Sequence, residues 1–184
     1  SVAKAPEGQV IFIPNVVPGD VVDVQTFKKR KSYFEGKAIK FYSFSEHRVD
    51  PVCEHFGVCG GCKWQNMQYS QQLHYKHQEV FNNLKRIGKV ELPEFEPILG
   101  SEKQFFYRNK MEFGFSSSRW MTQEEVESGA ELDNKNAVGF HIPKMWDKIL
   151  DIQKCHLQQD PSNAIRNEIR SFANQNGLTF FNPR

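Results

Sequence analysis

The chain opens with short apolar runs separated by turn residues. In "QVIFIPNVVPGDVVDVQTF" the Val, Ile and Phe positions are interrupted at Pro14-Asn15 and again at Pro18-Gly19-Asp20, the punctuation expected between strands. "KKRKSYFEGKAIKFYSF" follows as a basic turn and a second alternating run. Several short strands within residues 1–48 predict a small β-barrel, because closing a sheet removes its exposed edges. After a cysteine-bearing loop over about 49–66, Leu73, His77, Val80, Phe81, Leu84 and Ile87 recur at helical spacing. They predict a helix capped by Ser70, ended by Gly88, and buried along that face.

"LPEFEP" (92–97) reads as a linker, and beyond it the period returns to two. In "FFYRNKMEFGFS" the residues Tyr107, Asn109, Met111, Phe113 and Phe115 fall on one face, with Arg108, Lys110 and Glu112 on the other. "TQEEVESGAELDNKN" reads as an acidic polar loop, and "AVGFHIP" and "KILDIQKC" as two further strands. A last helix is predicted from Asp160-Pro161, with Pro in its first turn. Its buried stripe is expected to be Ile165, Ile169, Phe172 and Ala173, and Asn176-Gly177 closes it. The fold class is therefore mixed β/α. The expected divisions are a barrel over 1–48, a cysteine loop and helix over 49–92, and an antiparallel β domain with a C-terminal helix over 93–184.

Composition narrows the picture. At 184 residues with 16 Phe and a quarter of its residues charged, the chain can bury a core and is not of disordered type. No apolar run approaches the roughly 18 residues of a membrane span. "SVAKAPEGQV" lacks the basic and apolar regions of a secretory signal. It also lacks an initiator Met, and "GLTFFNPR" stops within an expected strand, so a piece of a longer, cytoplasmic protein is expected. The net charge of +2 is unevenly spread, with eight Lys/Arg against five Asp/Glu in residues 1–48 and eight against ten in 111–184. That bias permits a nucleic-acid partner without requiring one.

The chemistry concentrates in "CEHFGVCGGCKWQ". Its spacing is Cys53-x5-Cys59-x2-Cys62, with Cys155 far along the chain. Disulfides need an oxidising compartment to which nothing here points. A CxxC turn lets two sulfurs converge on one centre, and Gly60-Gly61 lets the backbone wrap it. Four thiolates suit zinc or an iron–sulfur cluster, and one ligand-rich loop with a single remote Cys is the more usual cluster arrangement. His55 and His156 are alternative zinc ligands, although polar loop histidines need no such role. Four unrelated buried thiols are the remaining reading.

These cysteines, together with Gln65, "QQLHYKHQEV" and "ILDIQKCHL", resemble the iron–sulfur branch of the RNA uracil-5-methyltransferases, and most of all the 23S ribosomal RNA type. "VVPGDVVDV" resembles that family's TRAM domain, a small OB-like RNA-binding barrel. "YRNKMEFGFS" and "AVGFHIPKMWDKILDIQKC" resemble its central β domain. The resemblance spans essentially the whole chain. It implies that Cys53, Cys59, Cys62 and Cys155 ligate a [4Fe–4S] cluster. It also implies that S-adenosylmethionine and the catalytic residues belong to a Rossmann-like domain whose signature is absent from this sequence. Methyl transfer needs no electron, so the cluster is read as structural, pinning the cysteine loop to the segment at Cys155, with a redox-sensing role as the alternative. Competing readings are a free-standing RNA-binding iron–sulfur module and a zinc-stabilised structural domain.

RNA contact is expected at two places. Lys28, Lys29, Arg30 and Lys31 lie beside Tyr33 and Phe34, a pairing of phosphate neutralisers with stacking surfaces that a solvated hairpin turn would equally display. Arg108 and Lys110 lie on the polar face of the expected strand, where an ordinary exposed sheet face is the plain alternative. Trp64 is read either as a shield over the cluster or as a core residue.

Overall fold

The computed structural model describes every residue except Ala130, Leu132, Asp133 and Arg184. The chain packs as two compact units interleaved in sequence: Ser1–Pro51 with Trp64–Ser101, and Val52–Lys63 with Glu102–Arg184. Residues 49–92 are thus divided between the two. The cysteine loop packs with the second unit and the helix that follows it with the first.

The first unit is built on β1 (Val2–Lys4), β2 (Val10–Phe12), β3 (Val21–Lys29) and β4 (Tyr33–Ser43). They form one sheet in the order β1-β2-β4-β3, in which β2 and β4 run parallel and the other pairs antiparallel. Register shifts along β3–β4 mark irregularities that sharpen the local twist. The sheet's ladder leaves β1 and β3 as its two edges. Lys28 and Lys29 belong to the end of β3 rather than to a turn, and the turn itself is short, with the Arg30 N–H donating to the Tyr33 carbonyl at 2.8 Å.

Asp20, in the turn before β3, fastens this unit. Its carboxylate is 1% exposed. It accepts from the Val17 N–H at 2.7 Å, the Ser45 N–H at 2.9 Å and Arg48 Nε at 3.2 Å, and it pairs with Arg48 Nη2. The Arg48 guanidinium in turn stands over the rings of Phe41 and Phe44, 5.3 and 5.2 Å from their centroids.

Helix α1 (Tyr69–Asn82) begins one residue before Ser70. Gln68 is its N-cap residue, without a side-chain cap. Gln72 instead secures the entry by donating to the carbonyls of Trp64 and Met67 at 3.0 and 2.8 Å. A π-helical stretch, Asn83–Ile87, continues it, and the Gly88 N–H reaches the Asn83 carbonyl at 2.9 Å. The expected burial of this face is not found. No residue of α1 is buried, and Val80 and Ile87 are exposed; its partial packing consists of His77 and Phe81 against Phe95 at 4.8 and 5.5 Å, and of Tyr69 and Leu73 beside Gly100, with the Tyr69 hydroxyl accepting from the Ser101 N–H at 2.7 Å. The widened turn carries Ile87 off the α-helical stripe.

The second unit holds β5 (Gly114–Ser116), β6 (Ala137–Ile142) and β7 (Met145–Asp151) as an antiparallel sheet in that order. Its core is Ile142, Leu150, Ile152, Cys155 and Leu157, with Val138, Ala173 and Phe180 as a second cluster. A Cβ on Gly139 would fall 2.0 Å from the Leu150 carbonyl oxygen, so only glycine lets β6 and β7 approach there. The long strand expected over 105–116 shrinks to β5. The N–H groups of Phe106 and Arg108 donate instead to the carbonyls of His156 and Leu157, both at 2.8 Å. Within the expected acidic loop lies α2 (Gln123–Glu127), opened by a capping box between Thr122 and Glu125; Ala130, Leu132 and Asp133 of that loop lie outside the described residues.

The last helix, α3 (Ser162–Gln175), is present, but of the expected buried stripe only Ala173 is buried. Its buried residues are Asn163, Arg166 and Ala173, whereas Ile165, Ile169 and Phe172 are 54%, 49% and 57% exposed. Among the described residues, no helix is long and apolar enough to cross a membrane.

Burial alone would push the Asp20 carboxyl up, but the hydrogen bonds from Arg48, Ser45 and Val17 outweigh it and hold the pKa below the usual carboxylate value. Its contribution is complete above the unfolded-state pKa of about 3.9 and disappears as pH falls through the lower folded value. Asp20→Ala is expected to cost about 2–4 kcal/mol in urea unfolding at pH 7, less than a fully buried pair because Arg48 keeps partial contact with water. The difference from wild type should shrink steadily below pH 4.

Candidate metal centre

The loop 52–63 is a succession of tight turns. The Phe56 N–H donates to the Cys53 carbonyl at 3.0 Å, and the Cys59 N–H to the His55 carbonyl at 2.9 Å. Gly60 lies against the β6–β7 hairpin, where an added Cβ would stand 2.8 Å from the His141 carbonyl oxygen. A larger residue would lift the loop off the hairpin. Gly61 directs its N–H at Cys59 Sγ, 3.3 Å away, and the Cys53 sulfur takes a backbone hydrogen bond from His55. Such amides stabilise negative charge on sulfur.

Cys155 arrives from the other end of the unit and is 7% exposed. Beyond β7 the Ile152 N–H still donates to the Val138 carbonyl of β6 at 3.0 Å; past it, α3 supplies side-chain partners to the backbone of Gln153 and Cys155. The Asn163 side chain grips the Cys155 backbone on both sides, its Oδ1 accepting from the N–H at 2.8 Å and its Nδ2 donating to the carbonyl at 3.1 Å. Arg166 Nη2 and Asn167 Nδ2 both donate to the Gln153 carbonyl, at 2.7 and 3.0 Å. Nothing in the residue pattern singles out Asn163 and Arg166. Polar residues in a helix's first turns are commonplace, and only the sheet-free backbone of Gln153 and Cys155 opposite them gives them work.

The structure brings the four cysteines into one neighbourhood. Cys59 and Cys62, both half-buried, pack against the apolar cluster that contains Cys155. All four are free thiols. Burial pushes the Cys59 thiol up to about 11; the Gly61 N–H opposes this, and the charges of Cys53, Cys62 and Cys155 add to it. Burial likewise raises Cys53, whose sulfur also feels Cys62 and Cys155. Among the described residues no three His, Cys, Asp or Glu side chains are arranged, as they stand, to hold one metal ion. The convergence is one of segments and of charge. The histidines play lesser parts. His55 Nε2 lies 3.3 Å from Glu54 Oε1 without a well-directed hydrogen bond. Burial lowers the pKa of His156, which packs by Phe106 with ring centroids 5.9 Å apart.

An open cleft of about 530 Å³ adjoins the loop, lined by Gly60, Gly61, Arg108, Lys110, Met111, Glu112 and Phe140. Arg108 and Lys110 therefore stand beside the cysteine loop, although the segment carrying them is not a strand. Lys28, Lys29, Arg30 and Lys31 belong to the first unit, where Lys29 Nζ lies 5.8 Å from the Phe34 ring centroid and Arg30 Nε lies 3.5 Å from Glu35. Trp64 packs with the first unit too, its ring under Lys76 Nζ at 5.5 Å.

No family model matches the chain. It is 55% identical over 175 residues to a Bacteroides thetaiotaomicron protein named an uncharacterized RNA methyltransferase, a match covering 95% of this chain and 38% of that protein. Proteins of the same name from Porphyromonas gingivalis and Chlorobaculum tepidum are 46% and 40% identical over 92% and 95% of this chain, each covered over 37% of its length. The chain thus spans a little over a third of the curated relatives it matches. Among solved structures, the Pyrococcus abyssi tRNA (uracil-54, C5)-methyltransferase in complex with S-adenosyl-L-homocysteine is similar in fold. The TM-score is 0.58 and the identity 24%, over 98% of this chain and 37% of that one.

With no metal bound, Cys59 is expected to react with iodoacetamide at pH 8 about a hundredfold more slowly than an ordinary exposed cysteine, because its thiolate fraction is correspondingly smaller. Mass-spectrometric alkylation kinetics between pH 7 and 11 should show its rate climbing late. A rate that levels off near pH 9 would contradict the burial of this thiol.

Proposed function

We propose that this chain is the RNA-binding, [4Fe–4S]-carrying N-terminal part of an S-adenosylmethionine-dependent RNA uracil-C5 methyltransferase acting in the cytoplasm on 23S ribosomal RNA. The observation that carries the reading is the meeting of Cys53, Cys59 and Cys62 with Cys155 in one packed neighbourhood, within a chain matched almost end to end by proteins named RNA methyltransferases. The fold likeness to a uracil-C5 methyltransferase supports the choice of base-modifying chemistry.

The residues present fit the group. Four thiols form the donor set, the surroundings are apolar, and backbone N–H groups point at two of the sulfurs. Cys53, Cys59, Cys62 and Cys155 would hold the cluster as thiolates, and the raised pKa values of Cys53 and Cys59 as free thiols mean that loading releases protons. When bound, the cluster supplies a multivalent cross-link and a one-electron couple. The chain's own residues account for the rest. Gly60 seats the loop on the β6–β7 hairpin and Asn163 fixes the backbone of the fourth ligand. The methyl donor, the nucleophile and the base belong to the part of the parent protein outside these 184 residues.

For RNA, the proposed grip has two parts. A TRAM-like module over 1–48 presents Lys28, Lys29, Arg30 and Lys31, with Tyr33 and Phe34 beside them. Arg108 and Lys110 line the cleft at the cysteine loop, where cations can neutralise phosphates and Phe140 offers a face for a base.

Two measurements test this reading. Protein made and purified without oxygen should contain four iron and four acid-labile sulfide per chain and be brown, with visible absorbance, as a cysteine-ligated [4Fe–4S] cluster requires; Cys155→Ser should lose most of the iron. Zinc at one per chain without sulfide would replace the cluster with a structural zinc site. Separately, replacing Lys28, Lys29, Arg30 and Lys31 by Gln should weaken binding to ribosomal RNA fragments. It should also flatten the slope of log K against log salt by about 0.7 for each single-strand phosphate no longer neutralised. An unchanged slope would remove the first module from the interface.

A further inference from the structure

Arg166 stands one turn after Asn163 on the buried side of α3 and is 5% exposed. One of its nitrogens, Nη2, donates to the Gln153 carbonyl at 2.7 Å. Its Nε is buried without any hydrogen-bond partner. Its guanidinium carbon lies 4.7 Å from the Phe113 ring centroid, and Phe113 packs on the same apolar cluster as Cys59, Cys62 and Cys155. Among the described residues no carboxylate lies within ion-pair distance of it. The nearby acid, Asp151, is taken by Arg170 at 3.0 Å.

A permanently charged guanidinium in that position is costly. Desolvating a cation costs several kcal/mol, and an isolated cation–π contact returns only about 1–2 kcal/mol. Evolution tolerates such a charge where an anion sits opposite. Burial pulls the Arg166 pKa down, and negative charge on Cys155 is the strongest influence pushing it back up. Four thiolates around a doubly positive iron–sulfur core make a dianion, and one added electron makes it a trianion. That is the missing counterpart.

We propose that Arg166 is the counter-charge of the cysteine centre, offsetting the negative charge that the loaded site would bury and setting how readily it accepts an electron. This rests on the iron–sulfur reading of Cys53, Cys59, Cys62 and Cys155. It assigns Arg166 a positioning and electrostatic role, without direct ligation. Two consequences separate this from mere packing. Neutralising Arg166 removes positive charge from beside the centre, so the reduction potential becomes more negative. The effect on stability also reverses sign with loading: the cluster-free protein loses an uncompensated buried cation and melts higher, while the loaded protein loses its ion pair and melts lower.

The test uses the full 184-residue chain as wild type, Arg166→Met, Arg166→Gln and Arg166→Lys. Iron and sulfide are quantified first. Wild-type protein without them would end the iron–sulfur reading itself, whatever Arg166 does. With wild type loaded, dithionite titration followed by electron paramagnetic resonance should give more negative potentials and several-fold shorter lifetimes in air for the Met and Gln variants. Arg166→Lys should stay near wild type. Thermal melts of loaded and cluster-free forms should show the sign reversal. Loaded neutral variants with the wild-type potential, or melts lowered equally in both forms, would overturn the proposal. If both neutral variants fail to fold, Arg166→Lys decides. A potential kept near wild type supports the charge role, and a shift despite the retained charge refutes it.

Discussion

The second unit depends on one constraint: after Ile152, whose N–H still reaches the Val138 carbonyl of β6, the chain leaves the sheet, passes through the exposed Gln153 and Lys154 and is buried again at Cys155. Buried backbone N–H and C=O groups need partners, and β7 ends at Asp151. Helix α3 meets that need with side chains rather than with backbone. Asn163 takes both polar groups of Cys155, and Arg166 and Asn167 share the Gln153 carbonyl. Arg170 closes the row on Asp151. Turning this polar row inward sends Ile165, Ile169 and Phe172 outward. The outward isoleucines and the fixed cysteine are two results of one accounting of hydrogen bonds.

The same economy explains the short β5. The Phe106 and Arg108 N–H groups are committed to the carbonyls of His156 and Leu157, so that stretch braces the loop after Cys155 and cannot also extend the sheet. The loop 52–63 is held from the other side by the close approach of Gly60 to His141. Two segments distant in sequence thereby meet over the apolar cluster formed by Ile142, Leu150, Ile152 and Leu157. Placing several potential anions there raises the cost of ionising any one of them, as Cys59 shows. In the proposed loaded state a cationic core would offset that cost, and Arg166 would balance the net negative charge that remains.

Much of the fold is legible in the residues. The breaks at Pro14-Asn15 and Pro18-Gly19-Asp20 both fall in the one connection between β2 and β3, with no strand between them, and the β6–β7 pair and both long helices lie close to where their periodicity puts them. The capping box at Thr122 and Glu125 was equally available as a Thr-x-x-Glu pattern inside a stretch that reads as loop. The parallel pairing of β2 with β4 was not available, since local alternation carries no information about which strand lies beside which. Nor was the exposure of Val80 and Ile87, because apolar spacing assumes a continuous partner surface, whereas α1 is met in part, around Phe95 and around Gly100.

By itself the sequence determined the local chemistry: a thiol-rich turn made tight by glycines, a basic hairpin with aromatics, strands broken by proline, and helices of the right length. These follow from short-range sterics and spacing, which travel with the residues. Tertiary structure decided what those pieces face. It brought Cys155 to the loop of Cys53, Cys59 and Cys62, set Arg108 and Lys110 beside Gly60 and Gly61, and buried Asn163 and Arg166 in place of the isoleucines. The reason is that burial of polar groups is governed by their partners, and partners far apart along the chain are fixed only when the backbone has folded.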